Sequence, residues 1–184
     1  MKIMAWGLVA AMLVGARVAT AQFAEAKPVT DAEKIADALR AGPNFITKDA
    51  TILDFPSAPG GQYRVLRQGT SEWTCLPRSH YEPACFDKTF LKFVRETLAG
   101  GTPQVDKVAI AYMYLGEDVP NIAGKAVTSN ATFHVGPHVM ILWPHQGDLQ
   151  GFNKDGSTGL PYANHLAHSD QLFLVVPIQQ AIQH

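Results

Sequence analysis

The chain has no apolar stretch of the roughly 20 residues that a membrane-spanning helix needs. Its one extended apolar run, Ile3 to Val14, is twelve residues, and Arg17 blocks any extension. Basic runs are also missing, so nothing in the sequence is suited to neutralising the phosphates of nucleic acid or of an anionic membrane. Cysteine is scarce: Cys75 and Cys85 are the only two, too few for a disulfide framework. Beyond the first 21 residues methionine is reduced to Met113 and Met140, too few to line a copper(I) carrier. The usual catalytic signatures are absent. There is no G-x-S-x-G elbow, no G-x-G-x-x-G, no H-E-x-x-H and no pair of C-x-x-C units. Ala123-Gly124-Lys125 lacks the upstream glycine and the following Ser or Thr of a phosphate loop. Asp155-Gly156-Ser157-Thr158-Gly159 lacks the alternating acidic ligands of a calcium loop. No repeat, low-complexity tract or linker divides the chain.

What is present begins at the N-terminus. Lys2, the run Ile3–Val14 and the small residues Ala19-Thr20-Ala21 have the order of an export signal, which predicts cleavage before Gln22 and a periplasmic or secreted protein. Removing residues 1–21 takes Lys2 and Arg17 from the 15 basic residues and none of the 16 acids, so the net charge falls from −1 to −3. The mature chain is expected to make no stable membrane insertion after cleavage and to bind no nucleic acid. In an oxidising compartment Cys75 and Cys85 are expected to pair, closing a loop that contains Pro77 and Pro83 and contributing at most about 3 kcal/mol. The competing arrangement is two free thiols holding a metal with His80 as third ligand.

Residues 22–29 read as a mobile lead-in, and residues 30–184 as one domain. Thr30-Asp31-Ala32-Glu33 has capping-box spacing, predicting a helix over 31–41 that Gly42-Pro43 stops. Strands are expected near 51–55, 63–68 and 72–76, then a disulfide loop. A helix over 87–98 follows, with Phe86, Phe90, Phe93, Val94 and Thr97 on one stripe. Residues 105–115, 133–143 and 171–178 read as further strands, the second punctured by Gly136-Pro137. Residues 116–131 and 146–169 read as long surface loops. The sum is an α+β fold: a mainly antiparallel sheet of about five or six strands with two packed helices and one disulfide.

Histidine is the unusual chemistry. His134, His138, His145, His165 and His168 fall within 35 residues. In an unbroken strand His134 and His138 would share a face, and His165 and His168 would share a face of a helical turn. Together they form a candidate zinc or copper site. A break at Gly136-Pro137 would separate the first pair, and loop placement would leave the second as ordinary surface residues. An acid–base pair assembled in space, for example His138 with Asp148, also stays open.

The segments Glu72-Trp73-Thr74-Cys75-Leu76-Pro77, Val108-Ala109-Ile110-Ala111-Tyr112-Met113 and Gly136-Pro137-His138-Val139-Met140-Ile141 resemble those of small exported bacterial proteins of unknown function. The resemblance spans most of residues 30–178. It implies a shared fold, the Cys75–Cys85 bridge and an exported setting, and it brings no activity. It singles out His138, which lies inside the matched element. The reading that follows is a non-catalytic binding or interaction module for a small molecule or an envelope protein. Its contact surface is expected on the 116–131 and 146–169 segments near the G-P-H-V-M strand. The alternative is a histidine-based metal-binding protein or metal-dependent enzyme.

Overall fold

A computed structural model describes residues 27–58, 60–79, 81–120, 132–165 and 171–178. The leader, His80, His168 and His184 lie outside the described residues, as does most of the 22–29 lead-in.

Helix α1 (Asp31–Ala38) starts at the expected capping box. Thr30 Oγ1 accepts from the Glu33 N–H at 3.2 Å, and the Glu33 carboxylate accepts from the Thr30 N–H at 2.9 Å. It ends three residues before the expected Ala41, and Pro43, read as a stop, also opens a further turn, α2 (Asn44–Thr47). Helix α3 (Lys88–Leu98) buries Phe90, Phe93, Val94 and Thr97, the i, i+3, i+4, i+7 stripe of its sequence. Asp87 caps it and ties it to the sheet, accepting from Phe90 N at 2.8 Å and from Ile110 N at 2.6 Å. Gly100, at φ +81°, provides the left-handed residue that closes its C-terminus.

The strands are β1 (Thr51–Asp54), β2 (Arg64–Arg67), β3 (Thr74–Leu76), β4 (Ala84–Phe86), β5 (Ala109–Met113), β6 (Glu117–Pro120), β7 (Thr132–Val135), β8 (His138–Leu142), β9 (Tyr162–His165) and β10 (Leu172–Pro177). Eight form one sheet in the order β2-β1-β3-β4-β5-β8-β10-β9, and β6 pairs with β7 in a separate ribbon. Every neighbouring pair is antiparallel except β1–β3, so the sheet is mixed.

The α+β class stands, and the expected five or six strands and two helices are corrected to an eight-stranded sheet, a two-stranded ribbon and three helices among the described residues. Strand β4 was hidden inside the disulfide loop because three consecutive buried residues show no period. Strands β6 and β9 were read as loop because Glu117-Asp118-Val119-Pro120 and Tyr162-Ala163-Asn164-His165 carry polar residues and proline. Residues 133–143 divide at Gly136-Pro137, and the two pieces join different sheets.

Alternate residues on β1, β3 and β4 go to opposite faces. Ile52, Cys75 and Cys85 join Ala38 and Ala41 from the α1 segment, while Leu53, Leu76 and Phe86 join Phe90 and Phe93 of α3. Helices therefore cover both faces at this end. Cys75 and Cys85 stand directly opposite each other in the β3–β4 register and are bonded, so the expected bridge is present.

Candidate functional site

The chemistry gathers where the ribbon meets the sheet. The chain leaves β5 through Gly116, whose φ of +71° lies in the left-handed region that favours glycine. A Cβ at Gly116 would also collide with the Val135 carbonyl oxygen, so β7 can cross this turn closely only because the side chain is missing. The turn delivers Glu117 to the start of β6, opposite Val135 of β7. Gly136-Pro137 then swings the chain from the ribbon into the main sheet, and the first residue of β8 is His138.

His138 is 0 % exposed. It lies in register with Met113 on one side and Pro177 on the other. Its Nδ1 is 2.8 Å from the Gly136 carbonyl oxygen. A carbonyl only accepts, so Nδ1 carries the proton and the neutral ring leaves Nε2 as a bare lone pair. Among the described residues no atom hydrogen-bonds Nε2. The group it faces is Glu117, with Oε1 at 3.7 Å, beyond hydrogen-bonding distance. Burial pushes the imidazole below its ordinary 6.5, outweighing the Gly136 hydrogen bond, and nearby His134 adds to the depression. The separation would also suit an ion pair if the ring were charged, but the cost of desolvating the cation is the larger effect. The ring is neutral.

Glu117 keeps 19 % of its side-chain surface. Tyr162, on β9, completes the cluster. Burial raises its pKa well above the ordinary 10, and the charge of Glu117 raises it further. The hydroxyl is therefore neutral at any physiological pH.

Three of the four histidines proposed as a metal set are described, and they lie on three different strands. His134 is exposed on β7, in the ribbon, and His138 is buried on β8, because Gly136-Pro137 separates them. His165 is exposed on β9, a strand and not the helical turn expected. His168 lies outside the described residues. Among the described residues no group of three or more His, Cys, Asp or Glu is assembled that could hold a metal ion. The bridge between Cys75 and Cys85 removes the alternative of two free thiols with His80. Asp148 accepts from Trp143 Nε1 at 2.9 Å, so the carboxylate facing His138 is Glu117 and not Asp148.

Glu117 and Tyr162 escaped the sequence reading, since both sit in segments taken as loop. The one local signal was Gly116, a turn residue directly before an acid. Comparison with protein-family models, with curated proteins and with solved structures finds no match.

Proposed function

We propose that this chain is an exported bacterial binding module, without catalytic activity of its own, whose recognition centre is the cluster of His138, Glu117 and Tyr162. One observation carries the reading: a fully buried imidazole has a bare nitrogen 3.7 Å from a carboxylate and, among the described residues, hydrogen-bonds through it to no protein atom. Leaving a buried acceptor without a partner costs about 1–3 kcal/mol, which an apolar residue of similar volume would avoid. A side chain kept at that cost is explained by something it binds. The cluster draws one residue from each of the segments 116–131 and 146–169, and one from the G-P-H-V-M strand. The leader and the Cys75–Cys85 bridge support an oxidising, periplasmic or secreted setting. The partner is a small molecule or a group presented by an envelope protein.

Thermal-shift screening against amines, amino acids, sugars and organic acids tests this. At least one class is expected to raise the melting temperature of the protein and not of Glu117→Ala. Absence of any stabilising ligand, together with a hydrolytic or transfer activity abolished by His138→Gln, would overturn it.

The same bare nitrogen beside a carboxylate favours a second reading, zinc or copper held by His138 with ligands from His134, His165 or His168. It predicts about one equivalent of metal in purified protein, lost in His134→Ala plus His138→Ala. Metal-free protein whose melting temperature ignores added zinc and copper would end it.

A further inference from the structure

We propose that a basic groove along the exposed face of α3 docks an extended acidic segment of a partner protein. The groove lies between α3 and residues 104–107, encloses about 690 Å³ and shares no lining residue with the His138 cluster. Both of its walls are anchored. Asp87 caps α3 and accepts from Ile110 N, which brings the start of the helix, and with it Lys88, beside the chain that carries Lys107 into β5. In the opposite wall Val105 is buried in the core against α3, while its neighbours Gln104 and Asp106 are exposed.

The charge of the groove is opposite to that of the chain. Four basic side chains, Lys88, Lys92, Arg95 and Lys107, line it against two acids, whereas the whole sequence has a net charge of −1. Lys88, Lys92 and Arg95 follow i, i+4, i+7 spacing and so form one row about 10 Å long. Among the described residues Lys88 and Lys107 make no ion pair or hydrogen bond. Lys92 meets Glu96 at 3.6 Å, an exposed pair that a ligand carboxylate can replace at little cost. The Arg95 guanidinium lies over the Tyr63 ring at 4.7 Å, which holds it in place and leaves its N–H donors for a carboxylate. The two acids, Glu96 and Asp106, select among anions. They repel a uniformly charged polyanion such as polyphosphate. An extended peptide instead brings backbone N–H groups for these acids and side-chain carboxylates for the row. A helical segment has already spent its N–H groups internally. Alternate side chains of an extended segment recur about every 6.6 Å, close to the rise of about 6 Å from Lys88 to Lys92.

Three probes separate these features: a capped pentapeptide of alternating glutamate and serine, the same peptide with glutamine for glutamate, and tripolyphosphate. Each is titrated into the protein at neutral pH and about 0.02 M salt, and binding is read from the backbone amide signals. The glutamate peptide is expected to shift residues 88–96 and 104–107 saturably and to bind at least about tenfold more weakly at about 0.5 M salt. Lys88→Ala with Lys107→Ala, both exposed, should weaken it about tenfold at an unchanged melting temperature. Lys154→Ala, an exposed lysine outside the groove, should leave binding intact. Equal binding of the glutamine peptide would remove charge from the account, and tighter binding of tripolyphosphate would remove the peptide; either overturns the proposal. So would equal weakening by Lys154→Ala, which reduces the effect to overall charge, or silence of both walls toward the glutamate peptide. The His138 ring signals should stay still throughout, so failure here leaves the His138 reading to its own test, and movement there would contradict a separate site.

Discussion

The two ends of the eight-stranded sheet treat polar groups in opposite ways. At the β2–β1–β3–β4 end, helices cover both faces and most of the polar side chains are paired, Thr97 Oγ1 on α3 being an exception. Arg67 donates to the carbonyls of Thr47 and Ala50, each at 2.8 Å. Asp37, 8 % exposed, accepts from the Arg78 N–H at 2.7 Å. Lys34 meets Asp54 at 2.7 Å. The disulfide sits in the middle of this end. At the β5–β8–β10–β9 end only one face rests on α3, through Phe90 against Phe173. On the other face the cluster beneath α1 stops at Tyr112, and Val139, Ile141, Leu174 and Val176 remain half-buried. This is also the end that buries His138 with a bare nitrogen. One end pairs its charged groups, and the other leaves a buried imidazole nitrogen without a hydrogen bond at its centre. Such exceptions concentrate at sites that bind something.

That contrast can be broken at its seam. Phe90 packs on Phe86 of one end and Phe173 of the other, so Phe90→Ala should remove about 3–5 kcal/mol and unfold both ends together in urea. A loss below about 1 kcal/mol, or separate transitions for the two ends, would show that α3 does not unite them. Within the paired end, Cys75→Ala with Cys85→Ala should cost about 2–3 kcal/mol, since the bridge closes a short loop. The His138 ring signals should not move in that variant. If they do, the surroundings of His138 depend on the disulfide and the division is wrong. At the rim of the same end, Thr30→Ala deletes one half of the capping box and should cost about 1 kcal/mol with no effect on ligand binding.

The paired end was the more legible one. Its signals are local: the capping box at Thr30, the phenylalanine stripe of α3 and two cysteines in an expected oxidising setting all act within a few residues. The central strands β5 and β8 were also readable, because alternation extends through each. The proposed recognition centre was readable only in part. His138 stood out inside its motif, and the break at Gly136-Pro137 correctly weighed against a shared face with His134. Its partner could not be found the same way. Glu117 reaches His138 because a ribbon folds back over Gly116, and Tyr162 arrives on a sheet-edge strand paired only with β10. Those are contacts between distant segments, set by packing. Periodicity carries no record of them.

The central claim is the state of the His138 ring, and its nitrogen resonances across pH 5 to 8 test it most directly. The account predicts the proton on Nδ1, an unprotonated Nε2, and a neutral ring that persists below the ordinary imidazole value of 6.5. Stability should follow. The unfolded chain takes up a proton near pH 6.5 that the folded ring refuses, so stability held above that pH declines as the pH falls toward the depressed folded value, then levels off. His138→Gln should remove that decline. A proton on Nε2, or an imidazolium paired with Glu117 at neutral pH, would contradict the account.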